Sequence, residues 1–462
     1  MGISLLQLHA RSMAVLVIAA CLQIEAPAAA AADESKTAAA GPAADSIDLA
    51  KAIELAVKNN PELAAAVSDV DVAVAQRDKA AAAYWPILRA QSGLTEYRRD
   101  QRLFPAARPG EPAVVSHQIF GGDIVASLPL YSGGRISGSV DAAKFSEEAA
   151  RSAGRWTKAD LTFRVTATYY AILAQRRLLS SLETSEQSLR QSLATLSALV
   201  EERKAAPVDR QRVEVRLSAL RQRRVQEENA LRVETLSLWS LMGIGASTGA
   251  YRVVGELAPP SGAAHQEPAE QLRQKALKSR PDYQALHAQA RSLEQRVGVA
   301  RAGYYPQLVA QGSYGLRWGL WPSDQPEGSN ALADVGQVGV YVDVPIFEGG
   351  RVSAEVRELT AQLNTFRERL RQSELRIQLE VDSAVLSVQA AMERIDLSET
   401  TVAQATEAFR VETEKQAVGK STVTDVLSAQ SDLLDAEANR ARALADANIA
   451  VAALRRATGE PL

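Results

Sequence analysis

The chain carries one unit twice, and that duplication limits its folding more than any other feature. Asn60-Pro61-Glu62-Leu63 recurs as Arg280-Pro281-Asp282-Tyr283, and Tyr84-Trp85-Pro86 recurs as Tyr304-Tyr305-Pro306, both 220 residues later. Leu128-Pro129-Leu130-Tyr131-Ser132-Gly133-Gly134-Arg135 recurs as Val344-Pro345-Ile346-Phe347-Glu348-Gly349-Gly350-Arg351, now 216 residues later. The same 216 separates Asp209 from Asp425 and Gly243 from Gly459. The first copy therefore holds four extra residues between Pro86 and Pro129, and the rest keeps register. The copies are expected at 46–245 and 269–462. A Gly-, Pro- and Ala-rich stretch at 246–268 reads as a linker with little regular structure.

The first 32 residues read as an export signal, with Arg11 before a short apolar core, Met13 to Leu22, and small residues at Ala26 to Ala32. Residues 33–45 read as a flexible leader. Cys21, the one cysteine, excludes an internal disulfide and has two readings. Ile18-Ala19-Ala20-Cys21 resembles a lipidation box, which would make Cys21 an acylated N-terminus; otherwise Cys21 leaves with the signal. No later stretch is long and apolar enough for a transmembrane helix, so residence in a membrane would require a β-barrel.

Each half alternates between two periodicities. After Pro306, residues Leu308, Ala310, Gly312, Tyr314, Leu316, Trp318 and Leu320 take one face, with Gln307, Gln311, Ser313 and Arg317 on the other. Val338, Val340, Val342, Val344 and Ile346 alternate likewise. The strands are expected at 88–102 and 114–130, then at 307–321 and 335–347. All are long enough to cross a bilayer at a barrel tilt, and Tyr314, Trp318 and Trp321 suit an interfacial aromatic girdle. The paired glycines Gly133, Gly134, Gly349 and Gly350 sit where each strand pair gives way to a helix, and supply the freedom to turn. Ser353 to Ala417 then runs without Pro or Gly, about 100 Å of helix at ~1.5 Å per residue. Its stripe, including Leu363, Leu370, Ile377, Val381, Val388 and Ile395, has coiled-coil spacing, as have Leu178, Leu182, Leu189 and Leu196 in the first half. Turns at Ala205-Ala206-Pro207 and Val418-Gly419-Lys420 reverse each long helix.

Four strands cannot close a barrel alone, and an open edge in lipid strands backbone groups at several kcal/mol each. Several copies must therefore share one pore. The order of elements, the duplication and the motif Val344-Pro345-Ile346-Phe347-Glu348-Gly349-Gly350-Arg351 resemble the TolC family of outer-membrane efflux proteins. So do Asn59-Asn60-Pro61-Glu62-Leu63, Tyr84-Trp85-Pro86 and Gly419-Lys420-Ser421-Thr422-Val423-Thr424-Asp425-Val426-Leu427. The likeness runs from Ser46 to Gly459.

It implies an α+β fold with four transmembrane β-strands per chain, a twelve-stranded β-barrel in a homotrimer, and a coiled-coil α-helical barrel continuing it. It further implies an outer-membrane channel of a tripartite efflux pump or type I secretion system, extending into the periplasm. A periplasmic adaptor (membrane fusion) protein and an inner-membrane pump or ABC transporter would be its partners, and outer-membrane lipid its surroundings. Asp209 and Asp425, just past the hairpin turns, would stand at a periplasmic entrance constriction, where a ring of carboxylates favours cations. The plainer reading is that each acid serves a helix start. The chain departs from better-known members at Ser428, where some carry a second acid, and its first-half equivalent is Arg212. Arg203 stands where the second hairpin has Gly419.

Other classes fit less well. A nucleic-acid partner is not expected, because the net charge of −3 is interspersed, not clustered. An enzyme, a metal site or a cofactor is not expected either, as His9, His117, His265 and His287 stand in no ligand spacing. Gly243-Ile244-Gly245 follows a helix and reads as a helix cap, not a nucleotide loop. A periplasmic coiled-coil adaptor would carry one hairpin where this chain has two. A soluble coiled-coil scaffold would be favoured by solubility of the mature protein without detergent, and an ordinary soluble sheet would leave the export signal and the very long helices unexplained.

Overall fold

A computed structural model describes residues 45–102, 115–245, 251–260, 267–320 and 332–461. The signal, most of the leader, Cys21 and Trp321 lie outside them. In chain order the elements are β1 (Asp45–Ile47), α1 (Leu49–Asn59), α2 (Pro61–Ala81), β2 (Ile87–Arg102), β3 (Val115–Tyr131), α3 (Arg135–Glu201) and α4 (Pro207–Leu241). There follow β4 (Tyr251–Val253), α5 (Ala269–Ser279), α6 (Pro281–Arg301), β5 (Gln307–Leu320), β6 (Leu332–Asp343), α7 (Arg351–Ala417) and α8 (Val423–Thr458).

The duplication is visible in the fold. Helices α3 and α7 are each 67 residues long, although α3 contains Gly138 and Gly154. Asn60 breaks the chain between α1 and α2 by accepting from the Glu62 and Leu63 amides while Pro61 opens the next helix. Its counterpart Arg280 is only 2% exposed. There it grips Asp282 through two nitrogens at 3.0 and 2.7 Å, reaches Glu380 at 2.7 Å, and lies 4.9 Å from the Trp156 ring centroid.

One antiparallel sheet has the order β2-β3-β5-β6, leaving β2 and β6 as edges. Its hairpins share one register: Ile87 opposes Ser127, and Gln307 opposes Asp343, the same pair one repeat later. Strand β6 stops at Asp343, short of the expected 347. The reason is that β5 begins at Gln307, so residues after Asp343 have no partner within the chain. In the first copy the equivalent stretch, Leu128 to Tyr131, is paired because β5 lies beside it.

The helices form three cores. One gathers Leu272, Ile377, Val381 and Leu454. A second holds Ile47, Leu161, Ile172, Leu238 and Val253. The third joins Leu182, Leu189 and Val213 of the first hairpin to Leu434 of α8. The described part of the linker holds a short strand that its composition does not suggest. Its Tyr251 to Val253 forms β4, which pairs parallel with β1 and buries Val253. Short as it is, this ladder satisfies backbone groups that a loop crossing a core would strand.

Candidate functional site

The sheet presents two unlike faces. Opposed residues put Leu88, Leu94, Phe120, Ile124, Leu128, Tyr314, Trp318, Val340 and Val342 on one side. Most are exposed; Leu88 is 69% and Val342 63% exposed. The other side carries Gln91, Asp123, Gln311, Ser313, Arg317 and Gln337. An apolar band left bare on one face, with polar residues behind it, suits a wall between lipid and an aqueous lumen.

The four glycines named from sequence all take left-handed backbone: Gly133 at φ 62°, Gly134 at 88°, Gly349 at 59° and Gly350 at 83°. Gly134 and Gly350 cap α3 and α7. A Cβ on Gly133 would stand 2.6 Å from Cβ of Tyr305, whereas one on Gly349 would meet nothing.

At the far end of the hairpins the two candidate acids do different jobs. Thr422 caps α8, so Asp425 closes a capping box: its carboxylate accepts from the Thr422 amide at 3.0 Å and hydroxyl at 2.6 Å, while its amide donates back to the Thr422 hydroxyl at 3.2 Å. These bonds to the Thr422 hydroxyl and amide hold the carboxyl below its usual range. The residue equivalent to Thr422 is Ala206, which holds the N-cap of α4 but has no side chain to cap it with. Asp209 is instead held by Arg212, at 3.3 Å. Arg212 also donates to Thr424 Oγ1 at 3.2 Å, so the structure brings the tip of one hairpin to the tip of the other. Sequence reading marked the position of Arg212 but not this bridge, because its partner lies 212 residues away.

Two further features join the charges. The carboxylate of Glu186, buried in the first hairpin, takes Arg190 at 2.6 Å, Arg221 at 3.0 Å and Arg224 at 3.3 Å. In the sheet, Arg317 holds Asp123 bidentately at 2.5 and 2.9 Å. Their signal in sequence was two charges within strands, unpaired until the register is known. Among the described residues no helix is long and apolar enough to cross a membrane, and no group of three His, Cys, Asp or Glu is placed to hold a metal.

A family model described as outer membrane efflux protein matches residues 52–244 and 272–460. The outer membrane efflux protein BepC of Brucella suis is 25% identical over 97% of this chain and 92% of its own. OprJ, an outer membrane protein of Pseudomonas aeruginosa, is 26% identical over 72% of this chain and 70% of its own. In structure, the outer-membrane channel OprN superposes with a TM-score of 0.75 at 20% identity, covering 89% of this chain and 90% of that one. VceC of Vibrio cholerae also gives 0.75 at 20% identity, over 89% and 96%.

Proposed function

The chain belongs to the outer membrane efflux protein family, and from that premise we propose that three copies close into one channel conducting exported substrates passively across the periplasm and outer membrane. The observation that carries this is a four-stranded sheet with an exposed apolar face and two open edges. In lipid those edges must find partners. Two copies would make eight strands, whose interior side chains fill; three make twelve and leave a lumen.

The duplication supports a ring. Within the chain, the first copy meets the second through β3 on β5, α3 on α6 and α3 on α8. Shifting each contact by one repeat pairs β6, α7 and α7 with β2, α2 and α4 of a neighbour. The faces this requires are bare. Val225 and Leu236 of α4 are 61% and 47% exposed, yet their equivalents Ala441 and Ala452 are buried in α8, which packs on both α7 and α3. Leu397 of α7 is 61% exposed where its equivalent Ser181 is 7%. Trp85, 72% exposed, would fill the space at Gly349 that Tyr305 fills at Gly133. Shifting the β3–β5 register sets Val340 against Leu94 of the neighbour and Phe347 against its Leu88, which extends β6 to the length expected from sequence.

The hairpins form the tunnel, and Asp425, its carboxylate turned to the cap, lies at the entrance beside the Asp209–Arg212–Thr424 bridge. Energy would come from an inner-membrane pump engaged through a periplasmic adaptor.

The test is a double-cysteine protein, Leu94→Cys with Val340→Cys, oxidised in outer membranes. Opposed strand positions lie within disulfide reach. Linked trimers on denaturing gels are expected, with Glu96→Cys replacing Leu94→Cys as an unlinked control. Recovery as a soluble monomer would overturn the channel reading. Linked trimers from the shifted pair only would overturn the register alone.

A further inference from the structure

In the regular part of the sheet, between Ile87 and Asp343, the polar face carries four charges: Arg89, Asp123, Arg317 and Asp343. They balance, and two are bound together. Arg317 and Asp123 sit on adjacent strands one pair out of step, since Arg317 opposes Gly121 and Asp123 opposes Gly315. Both opposing residues are glycine, and both have a steric reason. A Cβ on Gly121 would come within 3.2 Å of the Arg317 guanidinium. One on Gly315 would run into both the Asp123 carboxylate and the Gly122 carbonyl. With these side chains missing, the ion pair lies flat along the wall, beside a notch of about 350 Å³ bordered by Gly93, Thr95 and Tyr97. The side chains are only 31% and 14% exposed, low values for charges on an open strand face.

We propose that Asp123 is a clamp that holds the Arg317 guanidinium against the barrel wall, and that this pair sets the charge preference of the lumen. The inference rests on the channel reading above. A bidentate arginine–carboxylate pair is the geometry that fixes a guanidinium in direction as well as place. Removing the carboxylate frees a long cation to reach into the passage. The repeat makes the arrangement specific to one seam. The equivalents of Asp123 and Arg317 are Gly339 and Tyr97, so the seam between copies has no such pair. A ring of three chains would hold three clamps alternating with three uncharged positions. Freed arginines would then form a triangle of positive charge, which repels cations.

The test is ion selectivity of the purified full-length channel in planar bilayers, from reversal potentials under a KCl gradient. Asp123→Asn is expected to lower the potassium-to-chloride permeability ratio by about threefold and reduce conductance, as positive rings do in pores. Arg317→Gln leaves Asp123 unpaired and is expected to raise the ratio by a similar factor. The double variant is expected to return near the starting ratio. If assembled trimers of both single variants keep the original ratio, or shift it in the same direction, the clamp is wrong while the channel stands. Should Asp123→Asn fail to assemble, Arg317→Gln decides alone. A native chain that opens no channels at all would instead overturn the proposed function.

Discussion

Four long helices end with the same backbone device, and one of them uses the wrong residue for it. In α4, α7 and α8 the chain leaves the helix through a left-handed glycine, Gly243, Gly419 and Gly459. In α3 the residue is Arg203, at φ 59°, the one non-glycine with positive φ among the described residues. Its hydrogen bonds match those of Gly419: Arg203 N to Val200 O at 3.0 Å and Lys204 N to Leu199 O at 2.7 Å, beside Gly419 N to Gln416 O at 3.0 Å and Lys420 N to Lys415 O at 2.8 Å. The turn is thus made against the preference of its residue, at a cost of about 1 kcal/mol. Arg203→Gly is expected to stabilise the first hairpin tip by that amount, measured as slower amide exchange over residues 198–206. Unchanged exchange would mean the arginine gains elsewhere what its backbone loses. The acid at the second tip gives a pH prediction. The Asp425 carboxyl is held low, so its capping stabilisation is present above the ordinary carboxylate pKa and is lost as pH falls through the depressed value. Thr422→Ala is expected to weaken the cap by about 1 kcal/mol, roughly fivefold faster exchange of residues 423–426 near neutral pH. Once Asp425 is protonated the variant should still lack the cap that the Thr422 hydroxyl makes to the Asp425 amide, and only the part due to the carboxylate should vanish.

Elements were legible where a local rule dictated them. Both long helices, the period-two strands and the turn glycines follow from spacing and residue type. The end of β6 was not, because Val344 and Ile346 keep the alternation of a strand while β5, beginning at Gln307, leaves them no partner within the chain. Likewise β4 is three residues held by pairing with β1, about 200 positions earlier, and no local pattern marks it. Asp209 and Asp425 were equivalent in sequence, and their different partners came from the residues beside them, Ala206 or Thr422, and Arg212 or Ser428. Helix α3 shows the limit of reading glycine as a breaker. Gly138 faces Val299 of α6, and a Cβ there would meet Val299 Cγ2 at 2.9 Å. Gly154 has only ordinary neighbours, the nearest at 3.8 Å. The first is required by close packing of two helices, the second is not. Gly154→Ala is expected to raise stability by about 0.5–1 kcal/mol through helix propensity. Gly138→Ala should lose that gain to the clash, so thermal unfolding of the pair separates propensity from packing.

Across the whole molecule, the seam inside the chain is more strongly pinned than the seam proposed between copies. Within the chain, Arg456 reaches Asp160 at 2.6 Å and stacks 4.4 Å from Phe163, and Asp160 also binds Arg164 at 3.1 Å. The equivalent positions at the other seam are Ser240 for Arg456, Arg376 for Asp160 and Leu379 for Phe163, and they cannot repeat these ion pairs. Opening of the tunnel should therefore spare the helix bodies near α6 and act at the hairpin tips. At the tips Arg212 meets Thr424 at 3.2 Å, and farther along the hairpins Arg223 meets Asp435 at 3.0 Å and Gln430 the Ser185 carbonyl at 3.2 Å. Arg212 is half exposed, so its bridge is worth only about 0.5 kcal/mol in one chain. Three chains opening together would triple that, to a shift of roughly tenfold in the open-to-closed ratio. Arg212→Ala is accordingly expected to raise open probability in single-channel records about tenfold from a mostly closed state. Arg456→Ala should lower thermal stability and leave open probability unchanged. If the two variants exchange these effects, opening acts at the helix bodies and not at the hairpin tips.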